Sequence, residues 1–209
     1  MRFVIIIDVS RSSESRAGLV VATVFLDRDG VINRKMPEGQ YVRSWLDFEM
    51  LPGVAEAIGK LNRAGMKVLV VSNQRGVALG RYTAGDVDAI HESLQKVLGA
   101  EGAHVDRFYF CPHDREACAC RKPLIGLFEQ ARAEFPEIEA ETSVMIGDSL
   151  SDIEFGRRAG MHTFFIVGAA ETRRAGGDEA AGLADSSCAS LAEAVDLILQ
   201  TNEQDERAR

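Results

Sequence analysis

Short apolar runs rich in β-branched and aromatic residues alternate along this chain with longer stretches whose apolar residues recur every three or four positions. Residues 23–26, 67–71, 105–110, 143–146 and 162–167 have the first pattern, that of strands buried on both faces. The second pattern predicts helices between them. Pro52 near a first turn opens a helix over 54–64 that Gly65 closes. Thr83 with Asp86 three residues on has the form of a capping box, and Val87, Ile90, Leu94, Val97 and Leu98 follow on one face. Leu124, Leu127, Phe128, Ala131 and Phe135 mark a third helix facing the core, residues 150–159 before Gly160 a fourth, and residues 190–199 a last. Strands alternating with helices build a parallel sheet covered on both sides, so the expected fold is α/β and doubly wound, with five parallel strands.

The two ends break the pattern. Residues 10–16 are polar and aperiodic, and residues 201–209 are almost wholly polar or charged. Residues 1–22 therefore read as an N-terminal extension, mobile or adding a strand, and 201–209 as a mobile tail. A single domain over 23–200 remains, and 209 residues with 46% hydrophobic side chains suffice for one core. The balance of 24 Lys and Arg against 32 Asp and Glu gives a formal charge of -8, which repels nucleic acid and anionic membranes. No apolar stretch approaches the roughly 20 residues that span a bilayer. Arg16 and the apolar residues after it loosely imitate a secretory signal, but cleavage there would cut against Asp27, so the chain is expected in the cytoplasm.

Chemistry enters at the ends of the predicted strands. The first ends in Asp27-Arg28-Asp29-Gly30, two carboxylates one residue apart and a glycine turn, at the edge where ligands of open α/β sheets bind. Such a pair can ligate a hard cation through oxygen, and one carboxylate can attack an electrophile; alone, the pattern is also that of a polar turn. The second strand ends in Ser72-Asn73-Gln74 and the fourth in Gly147-Asp148-Ser149, with Asp152 one helical turn beyond. Ser72 suits a hydrogen bond to a phosphate oxygen and Asp148 the completion of a metal site. Asp152 is either part of that site or a solvated helix residue. Cys111-Pro112-His113 and Cys118-Ala119-Cys120 bring four ligands of the zinc type within ten residues, a set that would close a tetrahedral structural site. Cys188 reads as an ordinary thiol, and His91, His104 and His162 have no ligand-spaced neighbours.

Asp-x-Asp-Gly, Ser-Asn, the lysine of Arg121-Lys122-Pro123 and Gly-Asp-x-x-x-Asp follow one another in that order between residues 23 and 167. They resemble the four motifs of the haloacid dehalogenase superfamily, in its phosphatase branch. The resemblance implies a Rossmann-like fold and a Mg2+-dependent phosphomonoesterase working through an aspartyl-phosphate. It makes Asp27 the nucleophile and Asp29 the general acid and base, has Ser72 and Lys122 hold the phosphoryl group, and seats Mg2+ on Asp27, the Asp29 carbonyl and Asp148.

The run of Cys-Pro-His, Cys-x-Cys and Arg-Lys-Pro further resembles the zinc-containing subgroup of heptose-1,7-bisphosphate 7-phosphatases and histidinol-phosphate phosphatases. This implies structural Zn2+ on Cys111, His113, Cys118 and Cys120, in a loop over 111–120, with Arg121 and Asn73 meeting substrate. That loop is shorter than in some heptose enzymes, and Arg75 stands where a small residue is usual. The intervals 29–52 and 73–122 leave no room for a large cap domain, so an open site is expected, walled by the zinc loop and residues 35–41. The expected substrate is a small sugar bisphosphate, D-glycero-D-manno-heptose 1,7-bisphosphate cleaved at the 7-phosphate. It ranks ahead of histidinol phosphate, whose phosphatases in this subgroup often occur fused to a second enzyme. A monomer without nucleic-acid or membrane partners completes the expectation. A nucleotide phosphatase and a non-catalytic, zinc-stabilised phosphate-binding protein are the competing readings.

Overall fold

The computed structural model describes residues 20–168 and 176–208, with side chains up to residue 204 in the last segment. Among these residues six strands form one parallel sheet: β1 (Thr23–Leu26), β2 (Lys67–Asn73), β3 (Arg107–Cys111), β4 (Ser143–Gly147), β5 (His162–Ile166) and β6 (Ser186–Cys188). Six helices accompany them: α1 (Val54–Arg63), α2 (Ala84–Ala100), α3 (Gly126–Glu134), α4 (Leu150–Ala159), α5 (Gly177–Leu183) and α6 (Leu191–Ala208).

Period-two alternation divides β1 between two cores. Val24 and Leu26 pack with Ile58 of α1, Leu94 of α2 and Val195 of α6, whereas Phe25 packs with Leu127 of α3 and Phe155 of α4. The result is three layers, helix, sheet and helix. The strand order β3-β2-β1-β4-β5-β6 has the chain leave the central β1 in one direction and return in the other. Ligand crevices of open α/β sheets lie at such a switch point, outside the carboxyl ends of the strands. Here those ends carry Asp27, Ser72, Asn73 and Asp148. Gly30 makes their close approach possible: its φ is +106°, and a Cβ there would fall 2.1 Å from Asp148 Oδ2.

Several expectations change. A sixth strand, β6, extends the sheet beyond the five predicted; Ser186-Ser187-Cys188 carries no apolar run, and pairing with β5 alone makes it a strand. Ser72 and Asn73 lie within β2, because their pairing with Phe110 and Cys111 continues the ladder past the apolar run. Leu124 is 42% exposed and precedes α3, so it is not a core residue. The segment read as a mobile tail continues α6 to Ala208. The expected N-terminal extension lies outside the described residues as far as residue 19, while Val21 already belongs to the fold. It is buried, and its N–H donates to Asn202 Oδ1 at 2.9 Å. Between residues 29 and 52 there is only a single 3-10 turn, Trp45–Asp47, and between 73 and 122 only α2 and β3, so among the described residues no cap domain covers the strand ends. No helix among the described residues is long and apolar enough to cross a membrane.

Candidate active site

Asp27 follows β1, tied to β4 by its N–H, which donates to the Ile146 carbonyl at 2.9 Å. Lys122 reaches it from the loop before α3. The Lys122 ammonium lies 2.8 Å from Asp27 Oδ1, 2.6 Å from Asp152 Oδ1 and 2.6 Å from the Val71 carbonyl, so all three protons have acceptors. Asp152 stands in the first turn of α4, where Ser149 donates to its Oδ2 in a capping box. Asp148, between β4 and α4, pairs with the buried Lys35.

Charge in this cluster is unevenly balanced. Burial pushes Asp27 up to about 7, and the carboxylates of Asp152, Asp148 and Asp29 add to the rise against the pull of Lys122. Although burial works against its charge, Lys122 is raised above the usual lysine range by Asp152 and Asp27. Burial likewise opposes ionisation of Asp152, yet the Lys122 charge holds it below the usual carboxylate range. An added cation would relieve the repulsion felt by Asp27. The oxygens of Asp27, Asp148 and Asp152 lie within 4.8 Å of one another, a hard-donor set suited to a cation such as Mg2+.

The Asp29 carboxylate is outside that cluster. Arg28 Nη2 donates to both its oxygens at 3.0 Å, Asn33 Nδ2 to Oδ1 at 3.0 Å and Gln74 Nε2 to Oδ2 at 2.9 Å. Burial would raise its pKa, but the Arg28 charge and these hydrogen bonds together hold it low. Ser72 Oγ accepts from Gln74 Nε2 at 2.7 Å. The Asn73 amide clasps the Lys122 backbone, Nδ2 donating to its carbonyl and Oδ1 accepting from its N–H, both at 3.0 Å. Its side chain thus tethers the lysine loop to β2, in addition to facing the cleft.

The cleft over these groups encloses about 360 Å³. Lys35, Met36 and Glu38 to Val42 line it, together with Arg75, Tyr82, Arg115 and Arg121. Arg121 Nη1 is buried without a hydrogen-bond partner in the protein. Arg75, the residue at a position where a small one is usual, pairs with Asp114 and so links the end of β2 to the cysteine loop.

That loop gathers all four of its sulfur and nitrogen ligands. Cys111 Sγ lies 3.7 Å from His113 Nδ1 and 3.5 Å from Cys118 Sγ; Cys120 Sγ lies 3.3 Å from His113 Nδ1 and 3.4 Å from Cys118 Sγ. A tetrahedral ion with bonds of about 2.0 to 2.3 Å has edges of roughly 3.3 to 3.8 Å, so the set fits one metal with no position left open. Burial raises the Cys111 thiol; at Cys118 burial also works upward, but hydrogen bonds from Cys120, Cys111 and the Arg121 and Cys120 backbone together outweigh it and bring the thiol down to about 7.

Every residue singled out in the sequence therefore comes to one end of the sheet or to its adjoining loop. Asp152, left open between site and solvent, is buried in the ion cluster. Lys35, Arg28 and Gln74 were not singled out. Gln74 adjoins the Ser-Asn pair, which was a usable signal; Lys35 arrives from a loop that no local pattern connects to Asp148.

The family model for HAD-hydrolase-like proteins matches residues 119–194. A protein of Mycobacterium tuberculosis named D-glycero-alpha-D-manno-heptose-1,7-bisphosphate 7-phosphatase is 43% identical over 169 residues, 80% of this chain and 86% of its own. One of Escherichia coli, named for the beta anomer of the same substrate, is 32% identical over 183 residues, 84% of this chain and 94% of its own. Among solved structures, a D,D-heptose 1,7-bisphosphate phosphatase from B. bronchiseptica, complexed with magnesium and phosphate, is similar at a TM-score of 0.75. It is 28% identical, and the match covers 86% of this chain and 99% of that one.

Proposed function

This chain belongs to the heptose-1,7-bisphosphate 7-phosphatase family of HAD-like hydrolases, and from that premise we propose that it removes the 7-phosphate of D-glycero-D-manno-heptose 1,7-bisphosphate through a phosphoryl-enzyme on Asp27. The observation that carries the reading is the buried Asp27–Lys122–Asp152 cluster opening into a cleft that Arg121 also lines.

In this reading Asp27 attacks phosphorus while Asp29 gives a proton to the departing sugar oxygen, and Asp29 then takes a proton from the water that hydrolyses the acyl-phosphate. Lys122 and Ser72 hold the transferring group by charge and hydrogen bond. Arg121, with a buried nitrogen unused by the protein, suits the second phosphate, and Asn73 keeps the Arg121-Lys122 backbone in place for both. Asp27, Asp148 and the Asp29 carbonyl would hold Mg2+, which when bound neutralises phosphoryl charge. Cys111, His113, Cys118 and Cys120 would hold a structural Zn2+. The four cysteines are unbridged, which suits a reducing compartment such as the cytoplasm.

Relatives at 43% identity bear the alpha anomer in their names and those at 32 to 39% the beta, so we assign the alpha anomer. The test offers both anomers of the heptose bisphosphate, histidinol phosphate and a mononucleotide at equal concentration with Mg2+, and follows the products by phosphorus NMR. The reading expects loss of the 7-phosphate signal, fastest from the alpha anomer. Faster release from histidinol phosphate or the nucleotide would overturn the substrate, and binding without release from any of them would favour a phosphate-binding protein.

A further inference from the structure

Gln74 joins two parts of the proposed machinery. Its side-chain Nε2 donates to Asp29 Oδ2 at 2.9 Å and to Ser72 Oγ at 2.7 Å, and its Oε1 accepts from the Tyr82 hydroxyl at 2.8 Å. The amide is 2% exposed, so each bond is made away from bulk water, where loss of a partner costs most. With Asp29 ionised, this is the orientation that satisfies the amide: turned over, Oε1 would face the Asp29 carboxylate with no proton between them. The backbone is equally constrained. The Gln74 N–H donates to the Cys111 carbonyl at 2.8 Å, and Tyr82 lies so close over the following turn that a Cβ on Gly76 would fall 2.1 Å from its ring.

Two consequences follow for the groups Gln74 touches. Asp29 has its Oδ2 fixed by a neutral donor, while Arg28 and Asn33 fix the rest of the carboxylate. Ser72 uses an oxygen lone pair to accept from Gln74, which leaves its own hydroxyl proton to be given to an acceptor in the cleft. We propose that Gln74 is a positioning residue for phosphoryl transfer, holding the Asp29 carboxyl where it meets the leaving oxygen and turning the Ser72 hydroxyl toward the phosphoryl group, with Tyr82 fixing the amide. The inference rests on the phosphatase reading above. In the step it serves, Asp29 has first taken a proton from solvent as the negative phosphate ester enters beside it; the Asp27 oxygen then forms a bond to phosphorus, the P–O ester bond breaks with its electron pair going to the leaving oxygen, and that oxygen takes the proton from Asp29, leaving its carboxylate.

An alkoxide leaving group needs that proton, whereas p-nitrophenolate, a far weaker base, leaves without it. The experiment compares Gln74→Met, similar in length but unable to donate, with the parent protein. Single-turnover rates are measured in the presence of Mg2+ on a sugar phosphate and on p-nitrophenyl phosphate. The sugar phosphate rate should fall about 10- to 100-fold more than the p-nitrophenyl phosphate rate. Tyr82→Phe, which removes one hydroxyl and keeps the ring, should produce the same split at smaller size, and melting curves establish that both variants fold. Equal losses on the two esters, rates like the parent's, or a change in KM alone would overturn the positioning role while leaving the phosphatase reading standing. A parent protein with no Asp27-dependent release from either ester would remove that reading and the inference together.

Discussion

Lys122 is held by two carboxylates at a site where burial opposes the charge on each of the three groups. With its side chain 1% exposed and Asp152 equally covered, removal of the ammonium strands buried negative charge. Lys122→Met should cost about 3 to 5 kcal/mol of stability in urea unfolding and abolish turnover; a loss confined to turnover would mean the cluster does not hold the fold. His91 makes a pH prediction. It is stacked on Phe108 at 4.5 Å, and burial first, then the Arg28 charge, pushes it down to about 3 from an ordinary 6.5. As pH falls below 6.5 the unfolded chain takes up the proton before the folded one, so this contribution to stability is whole above 6.5 and lost on the way down to about 3. His91→Phe should therefore lose less stability than the parent between neutral pH and pH 5, by about 2 kcal/mol in urea unfolding. Residues with motif spacing, such as Asp27, Asp148 and the cysteine set, were legible in the sequence. Lys35 acts through a partner 113 residues away, of which local spacing carries no trace, and Gln74 joins its neighbour Ser72 to Asp29, 45 residues away, so only its place beside the Ser-Asn pair was local.

At the scale of elements, the cysteine loop is held at both ends, by pairing of Cys111 with Asn73 and by the hydrogen bonds of Asn73 to the Lys122 backbone. A metal closing the four ligands would fix the wall that carries Arg115 and Arg121. Elemental analysis should find about one equivalent of zinc. Its removal by a chelator should lower the melting temperature and raise KM more than it lowers kcat; a metal-free protein with unchanged KM would detach the loop from substrate binding. The buried strands and amphipathic helices were readable because each carries its own period. β6 was not, since Ser186-Ser187-Cys188 is ordered only by its neighbour β5. The end of α6 was also missed: a helix whose last turns are polar has no stripe to read, although Asn202 anchors it to Val21.

Over the whole molecule, the strand order carries the functional argument. Leaving β1 both ways puts Asp27 beside β2 and β4 together, so one crevice receives the ends of three strands. The absence of room for a cap was legible from interval lengths alone, and the resulting cleft is walled instead by residues 35–42 and the cysteine loop. The fold class came from alternation. Assembly of Lys35 on Asp148 and of Gln74 on Asp29 came only from the packed chain, because it depends on how loops far apart in sequence meet. The central claim is that Asp27 becomes phosphorylated, and its most direct measurement is peptide mapping by mass spectrometry of protein acid-quenched during turnover of the heptose bisphosphate with Mg2+. The account predicts a phosphoryl group on the peptide containing Asp27, absent from Asp27→Asn, which should also release no phosphate. A phosphoryl group on another residue, or undiminished turnover by Asp27→Asn, would contradict it.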